Sequence, residues 1–300
     1  MVYPAAMDAE QSLRRVTRAA VGTALTLAAL KAAAYFATGS IGVAASLVDS
    51  LLDTVASGVN LWAVHVALKP ADKDHRFGHG KAEPLAGLAQ SAFVLGSALF
   101  LVLQAIDDLI APSPVEHGAV GLAVMVISTV ATLGLVAYQR RVIKQTSSLA
   151  ITADSLHYTG DILTNAAVIA GILIATETSF MRADPIIGIG VAVVLMVSAW
   201  KILRQSIDQL MDKELADDAR ARILALTRED PMVLDVHDLK TRASGRTTFV
   251  QLHATFDRDL PLVAAHDAGE RIVARIRGEF PDAEVTVHHD PSDAPRALAR

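Results

Sequence analysis

The chain has 300 residues, 52% hydrophobic and 20% charged, with a formal net charge of -5 and a mean hydropathy of +0.38. That average is too apolar for an ordinary soluble domain and too charged for membrane helices alone, so it predicts a membrane part joined to a soluble part. With no cysteine, a disulfide framework and zinc–thiolate sites are excluded. An aromatic content of 5% without basic–aromatic interleaving speaks against nucleic-acid binding.

In chain order, residues 1–11 lack the charged start, short apolar core and cleavage site of a signal peptide. Six stretches then reach the roughly 20 apolar residues that cross a hydrocarbon core of about 30 Å: 16–38, 41–68, 85–110, 119–138, 149–176 and 185–203. Basic residues cluster on one side. Arg14, Arg15 and Arg18 precede the first span. Lys69, Lys73, Arg76 and Lys81 lie between the second and third, Arg140, Arg141 and Lys144 follow the fourth, and Arg204 closes the sixth. The loops on the other side offer only Arg182, so both termini are predicted to be cytoplasmic. Glycines in the third and sixth spans (Gly87, Gly96, Gly188, Gly190) read as close helix packing.

The second span carries Asp49 and Asp53 near its middle. On a helix, residues four apart share one face, one turn apart. Charges at that depth are costly and usually face a cavity, a partner or a bound ion. The fifth span repeats the spacing with His157 and Asp161, at a similar depth. The two pairs together supply three carboxylates and one imidazole, a set that a tetrahedral divalent ion such as zinc accepts. Isolated polar residues bonded between helices would explain one such residue, but not two matched pairs. Asn60 and Asn165 are expected to bond between helices, and His65 and His117 to be structural or interfacial.

Two further clusters follow. The loop from Ala71 to Lys81 contains Asp72, His75 and His79, with glycines that permit tight turns and with Asp74 as an alternative acid. It would otherwise be a solvated, charge-rich loop. After Met211 the composition becomes soluble: a helix over 217–228, strands over 236–241 and 247–256 around a turn at Ser244-Gly245, a helix over 262–280 and a strand over 284–288. This predicts an αββαβ arrangement of the α+β class, helices on one face of a small sheet. Its ligand-type residues are His237, His253, His266, His288, His289 and Asp290.

At this point the sequence resembles the cation diffusion facilitator family, and within it the bacterial zinc-efflux and ferrous-iron-efflux-like members. The resemblance rests on Leu47-Val48-Asp49-Ser50-Leu51-Leu52-Asp53, Phe77-Gly78-His79-Gly80-Lys81-Ala82-Glu83, Ala153-Asp154-Ser155-Leu156-His157-Tyr158 with Asp161, and His237-Asp238-Leu239-Lys240-Thr241-Arg242. It implies a homodimer in the cytoplasmic (inner) membrane, with an all-α six-helix transmembrane domain over 1–211 and a metallochaperone-like cytoplasmic domain over 212–291; the tail over 292–300 is expected to lack fixed order. It implies a transport site of Asp49, Asp53, His157 and Asp161, and a loop site of Asp72, His75 and His79. It also implies a binuclear site of His237, His253, His266, His288 and Asp290 at the cytoplasmic dimer interface, with the role of His289 open. The expected activity is export of a divalent metal, foremost Zn²⁺, in exchange for protons; Cd²⁺, Fe²⁺ and Co²⁺ are alternative cargoes. No enzymatic function is expected, because no His-Glu-x-x-His motif is present.

Overall fold

The computed structural model describes residues 4–110, 119–178 and 182–293. The expectation for His117, and that for the tail from residue 294 onward, lie outside the described residues. The chain divides into two compact units, Met1–Ile207 and Asp208–Arg300.

The first unit is built from α1 (Pro4–Thr38), α2 (Ile41–Ala67), α3 (Ala82–Ile110), α4 (Ala119–Thr146), α5 (Leu149–Thr178) and α6, which runs from Ala183 to Leu210. Several of these helices outrun their apolar stretches: α1 begins before Val16, α4 continues past Tyr138 and α6 past Leu203. Basic residues are good helix formers, so a charge ends the hydrocarbon span without ending the helix. Leu13, Val16, Val64, Val142 and Ile151 pack the neighbouring ends of α1, α2, α4 and α5 into one apolar cluster. Among the described residues, α1, α3, α4 and α6 are apolar enough by length and composition to cross a membrane. The other two, α2 and α5, give interior positions to Asp49, Asp53, Asp154, His157 and Asp161.

Two short connections pin neighbours together. Gly39, at φ 64°, donates its N–H to the Tyr35 carbonyl at 2.8 Å and ends α1 in the left-handed conformation that glycine tolerates. At the α4–α5 link Ser147 adopts φ 51° and donates to Ile143 at 2.8 Å, while buried Ser148 starts α5. A Cβ at Gly87 would lie 2.8 Å from the Ser206 hydroxyl and 3.2 Å from Leu149, so here glycine does serve close packing. Gly96 and Gly190 have nothing within 4 Å of such an atom and pack no helix closely. The outer faces carry Val48, Leu51 and Val55 on α2 and Val193, Val194 and Val197 on α6, all exposed, as a lipid-facing surface requires.

The second unit contains α7 (Asp217–Arg228), β1 (Asp235–Ser244), β2 (Thr247–Phe256), α8 (Leu262–Glu279) and β3 (Ala283–Pro291). The sheet order is β1-β2-β3; β1 and β2 are antiparallel, and β3 runs parallel to β2 after the α8 crossover. Val250, Leu252, Ala254 and Phe256 alternate onto one face of β2 and pack with Ala268, Ile272 and Ile276 of α8 and Ile223 and Leu226 of α7. The helices cover that face. The other carries His237, His253 and His288.

Candidate metal centres

Within the helical unit, α2 and α5 bring three of the four expected ligands together. The His157 Nε2 and the Asp53 Oδ1 lie 2.8 Å apart, and Asp161 offers an oxygen such that all three ligand atoms fall within 4.8 Å of one another. Buried His157 is flanked by Phe93 of α3, edge to face at 5.4 Å between centroids. The cluster borders a cavity of about 640 Å³. Asp49 lines the same cavity one turn from Asp53 but stays outside the tight trio. Lys31 of α1 also lines it, with its ammonium donating to the Ser50 hydroxyl at 2.7 Å. In the sequence Lys31 interrupts an apolar run without a partner at helical spacing, so nothing local marks it.

One turn before His157 lies a buried hub that was equally hidden. Asp154 accepts from the Gln139 amide at 2.7 Å (α4), the Gln90 amide at 3.1 Å (α3) and the Ser57 hydroxyl at 3.4 Å (α2). Ser57 also meets the Tyr158 hydroxyl at 2.7 Å. Four helices thus share one carboxylate immediately beside the ligand cluster. Glu83 of α3 accepts the Leu149 N–H at 2.8 Å, capping the first turn of α5 from another helix. Asn165 bonds to Thr129 of α4 at 3.0 Å as expected, but Asn60 is buried with no partner for its amide nitrogen among the described residues. His65 contacts Arg14 at 3.1 Å, a structural role.

The loop cluster is organised by Asp72, not Asp74. The Asp72 Oδ1 accepts the backbone N–H groups of His75 at 2.7 Å and Asp74 at 3.0 Å, which folds the loop back on itself. Those two N–H groups, the His75 one foremost, hold its carboxyl below the usual carboxylate range. The His79 Nε2 lies 3.2 Å from the Asp72 Oδ2, and the His75 and His79 rings are 4.5 Å apart. Gly78, at φ 78°, makes the turn that returns His79 to Asp72. The three side chains form a second group with all ligand atoms within 4.8 Å.

In the soluble unit the strand register aligns His237, His253 and His288 in one row across β1, β2 and β3. Asp290 reaches back along β3 to all three, at 3.3 Å from His237, 2.9 Å from His253 and 3.3 Å from His288. His237, His253 and Asp290 form the third tight group. A bulge between His237 and Lys240 places Asp238 at φ 48°, with its carboxylate 3.7 Å from the His253 Nε2. Regular alternation would send Asp238 to the opposite face, so the sequence pattern alone does not place it beside the row. His289 does point there: it stacks on Phe256 at 5.2 Å, and its Nε2 would lie 2.5 Å from a Cβ at Gly269. His289 therefore packs under α8, away from the row. His266 lies exposed on α8, on the helix layer, and does not join the group around Asp290.

Donor chemistry fits a divalent ion at each group. All three mix imidazole nitrogen with carboxylate oxygen, a set that borderline metals such as zinc accept.

The family model described as the cation efflux transmembrane domain matches residues 17–211, and that of the cation efflux protein cytoplasmic domain matches 215–292. Among curated proteins, the cation-efflux pump FieF of Shewanella oneidensis is 44% identical over 279 residues, covering 93% of this chain and 94% of the relative. The FieF pump of Salmonella arizonae is 42% identical, covering 96% of this chain and 97% of its own. That of Cronobacter sakazakii is 43% identical, with 93% of each covered.

Proposed function

The chain belongs to the cation diffusion facilitator family of divalent metal efflux transporters, and on that premise we propose that it exchanges cytoplasmic Zn²⁺ for protons by alternating access. The observation that carries this reading is the mid-helix trio of Asp53, His157 and Asp161, facing a cavity that Asp49 also lines. Carboxylates and imidazole bind a metal only when deprotonated, so ion and protons compete for the same atoms. Metal entry releases protons, and re-protonation from the opposite side expels the ion. One imidazole among carboxylates leans toward zinc or cadmium over manganese, which suits all-oxygen sites.

In this reading residues 1–211 form the transport domain and residues 212–291 the metal-binding dimerisation domain of a homodimer. Both termini face the cytoplasm, and the bilayer is the inner membrane. The group around Asp290 holds structural zinc, and His266 enters its ligand set only when a second copy brings it there. The loop group of Asp72, His75 and His79 is a cytoplasmic capture site. The test is zinc flux in proteoliposomes with an imposed pH gradient. Asp53→Ala and Asp161→Ala should each abolish proton-coupled flux, and wild-type flux in either variant would overturn the assignment.

A further inference from the structure

We propose that Lys31 is a tethered counter-cation of the transport site, one that weakens divalent-metal binding and so speeds release of the ion. The inference rests on reading the Asp53–His157–Asp161 cluster as that site. A lysine within a membrane span normally snorkels to the interface or faces a partner or a water-filled cavity. Lys31 lies within α1, well short of its end at Thr38. Its Nζ is held at 2.7 Å from the Ser50 hydroxyl, a side chain only 2% exposed. Ser50 follows Asp49 and precedes Asp53 on α2, so the hydrogen bond fixes the ammonium beside the helix that carries both acids.

The cavity composition makes the charge pairing specific. Its ionisable lining consists of Lys31, Asp49, Asp53, His157, Tyr158 and Asp161 among the described residues, so Lys31 is the one lysine or arginine that shares the cavity with three carboxylates. Without metal, the ammonium offsets part of their negative charge in a region where water screens little. When a divalent ion arrives, the same ammonium repels it with twice the force it would exert on a monovalent one. A transport site must hold its ion weakly enough to let it go. Lys31 supplies that weakening without occupying a ligand position.

The experiment uses the full chain in nanodiscs, with Asp72→Ala and Asp290→Ala removing the other two groups so that Zn²⁺ titration reports the membrane site. Lys31→Gln removes the charge and retains a donor for Ser50. It should tighten the zinc Kd by at least about tenfold, a lower bound for one unit charge near a divalent ion once solvent screening is allowed for. Lys31→Arg, which keeps the charge, should stay within about threefold of wild type. In proteoliposomes Lys31→Gln should lower KM and kcat together, because slower release follows tighter binding. A structural role alone would lower kcat without tightening Kd. Should Lys31→Gln not be recovered folded, Lys31→Met tests the same loss of charge. Zinc binding unchanged or weakened in the folded neutral variant would overturn the proposal. Persistent zinc binding in Asp53→Ala on the same background would instead overturn the location of the site itself.

Discussion

His157 and Asp53 touch at 2.8 Å although 104 residues separate them, and no other ligand pair among the described residues of the helical unit is fixed so closely. The contact joins the middle of α2 to the first third of α5 and makes the imidazole the one nitrogen donor of the group. Replacing it with a carboxylate should convert the site to oxygen ligands only. We expect His157→Asp to keep transport of a divalent ion while shifting preference from Zn²⁺ toward Mn²⁺. Competition of the two ions in vesicle flux checks this. An unchanged preference would mean that the imidazole is not a ligand.

The hub at Asp154 should matter for stability and, through helix placement, for transport. Its two carboxylate oxygens accept from Gln139, Gln90 and Ser57 at once. Asp154→Asn keeps the shape but replaces one acceptor oxygen with a donor, leaving a glutamine amide facing an N–H group. An unsatisfied buried polar group costs about 1–3 kcal/mol. The variant should therefore melt several degrees lower in detergent than wild type, as read by the loss of monodisperse protein on heating. Melting at the wild-type temperature would show that the hub rearranges without cost.

Asp290 organises the soluble unit's group as Asp72 organises the loop's. Its carboxylate lies within 3.3 Å of a ring nitrogen on each of His237, His253 and His288. Removing that common acid should lower metal stoichiometry more than removing any one histidine. We expect Asp290→Ala to bind fewer equivalents of zinc than His288→Ala, whose side chain is 63% exposed. Equilibrium dialysis of the full chain against zinc gives both numbers. Equal stoichiometry in the two variants would place the histidines' metal elsewhere.

Much of this organisation was legible in the sequence because it rests on periodicity. Apolar runs and one-sided arginines gave the helices of the first unit, and the i, i+4 spacing singled out Asp53, His157 and Asp161. The alternation in 247–256 matched β2 to the residue. What stayed hidden depends on packing between distant segments. The alignment of His237, His253 and His288 needs both strand pairings, one of them parallel and reached only through α8. The inward turn of His289 follows from the same register, and Asp238 is exposed by a bulge that no local signal announces. Lys31 and Asp154 read as single polar interruptions of apolar helices. Only the fold shows that one faces the acids and the other ties four helices together.

The soluble unit also carries a buried ion pair outside its metal group, with a definite pH signature. The Asp230 carboxylate is 0% exposed and accepts from the Arg271 Nε at 2.8 Å, the Arg271 Nη2 at 3.1 Å and the Arg275 Nη1 at 3.1 Å, joining the end of α7 to α8. The Arg271 hydrogen bonds foremost, with the Met232 N–H and Arg275, hold its carboxyl below the usual carboxylate range. A group whose native value is depressed contributes stability that is present above its unfolded value of about 4 and is lost as pH falls through the native value. Asp230→Asn should therefore be less stable than wild type at neutral pH, with the difference shrinking below about pH 4. Asp230→Ala strands two arginines that are 42% and 30% exposed, so its cost falls below the 3–5 kcal/mol of a fully buried pair, at about 2–3 kcal/mol. Hydrogen exchange of the β1–β3 and α8 amides in the full chain, corrected for the intrinsic pH dependence, reads both quantities. A stability difference between wild type and Asp230→Asn that is constant from neutral to acid pH would show that the ion pair contributes shape and not charge.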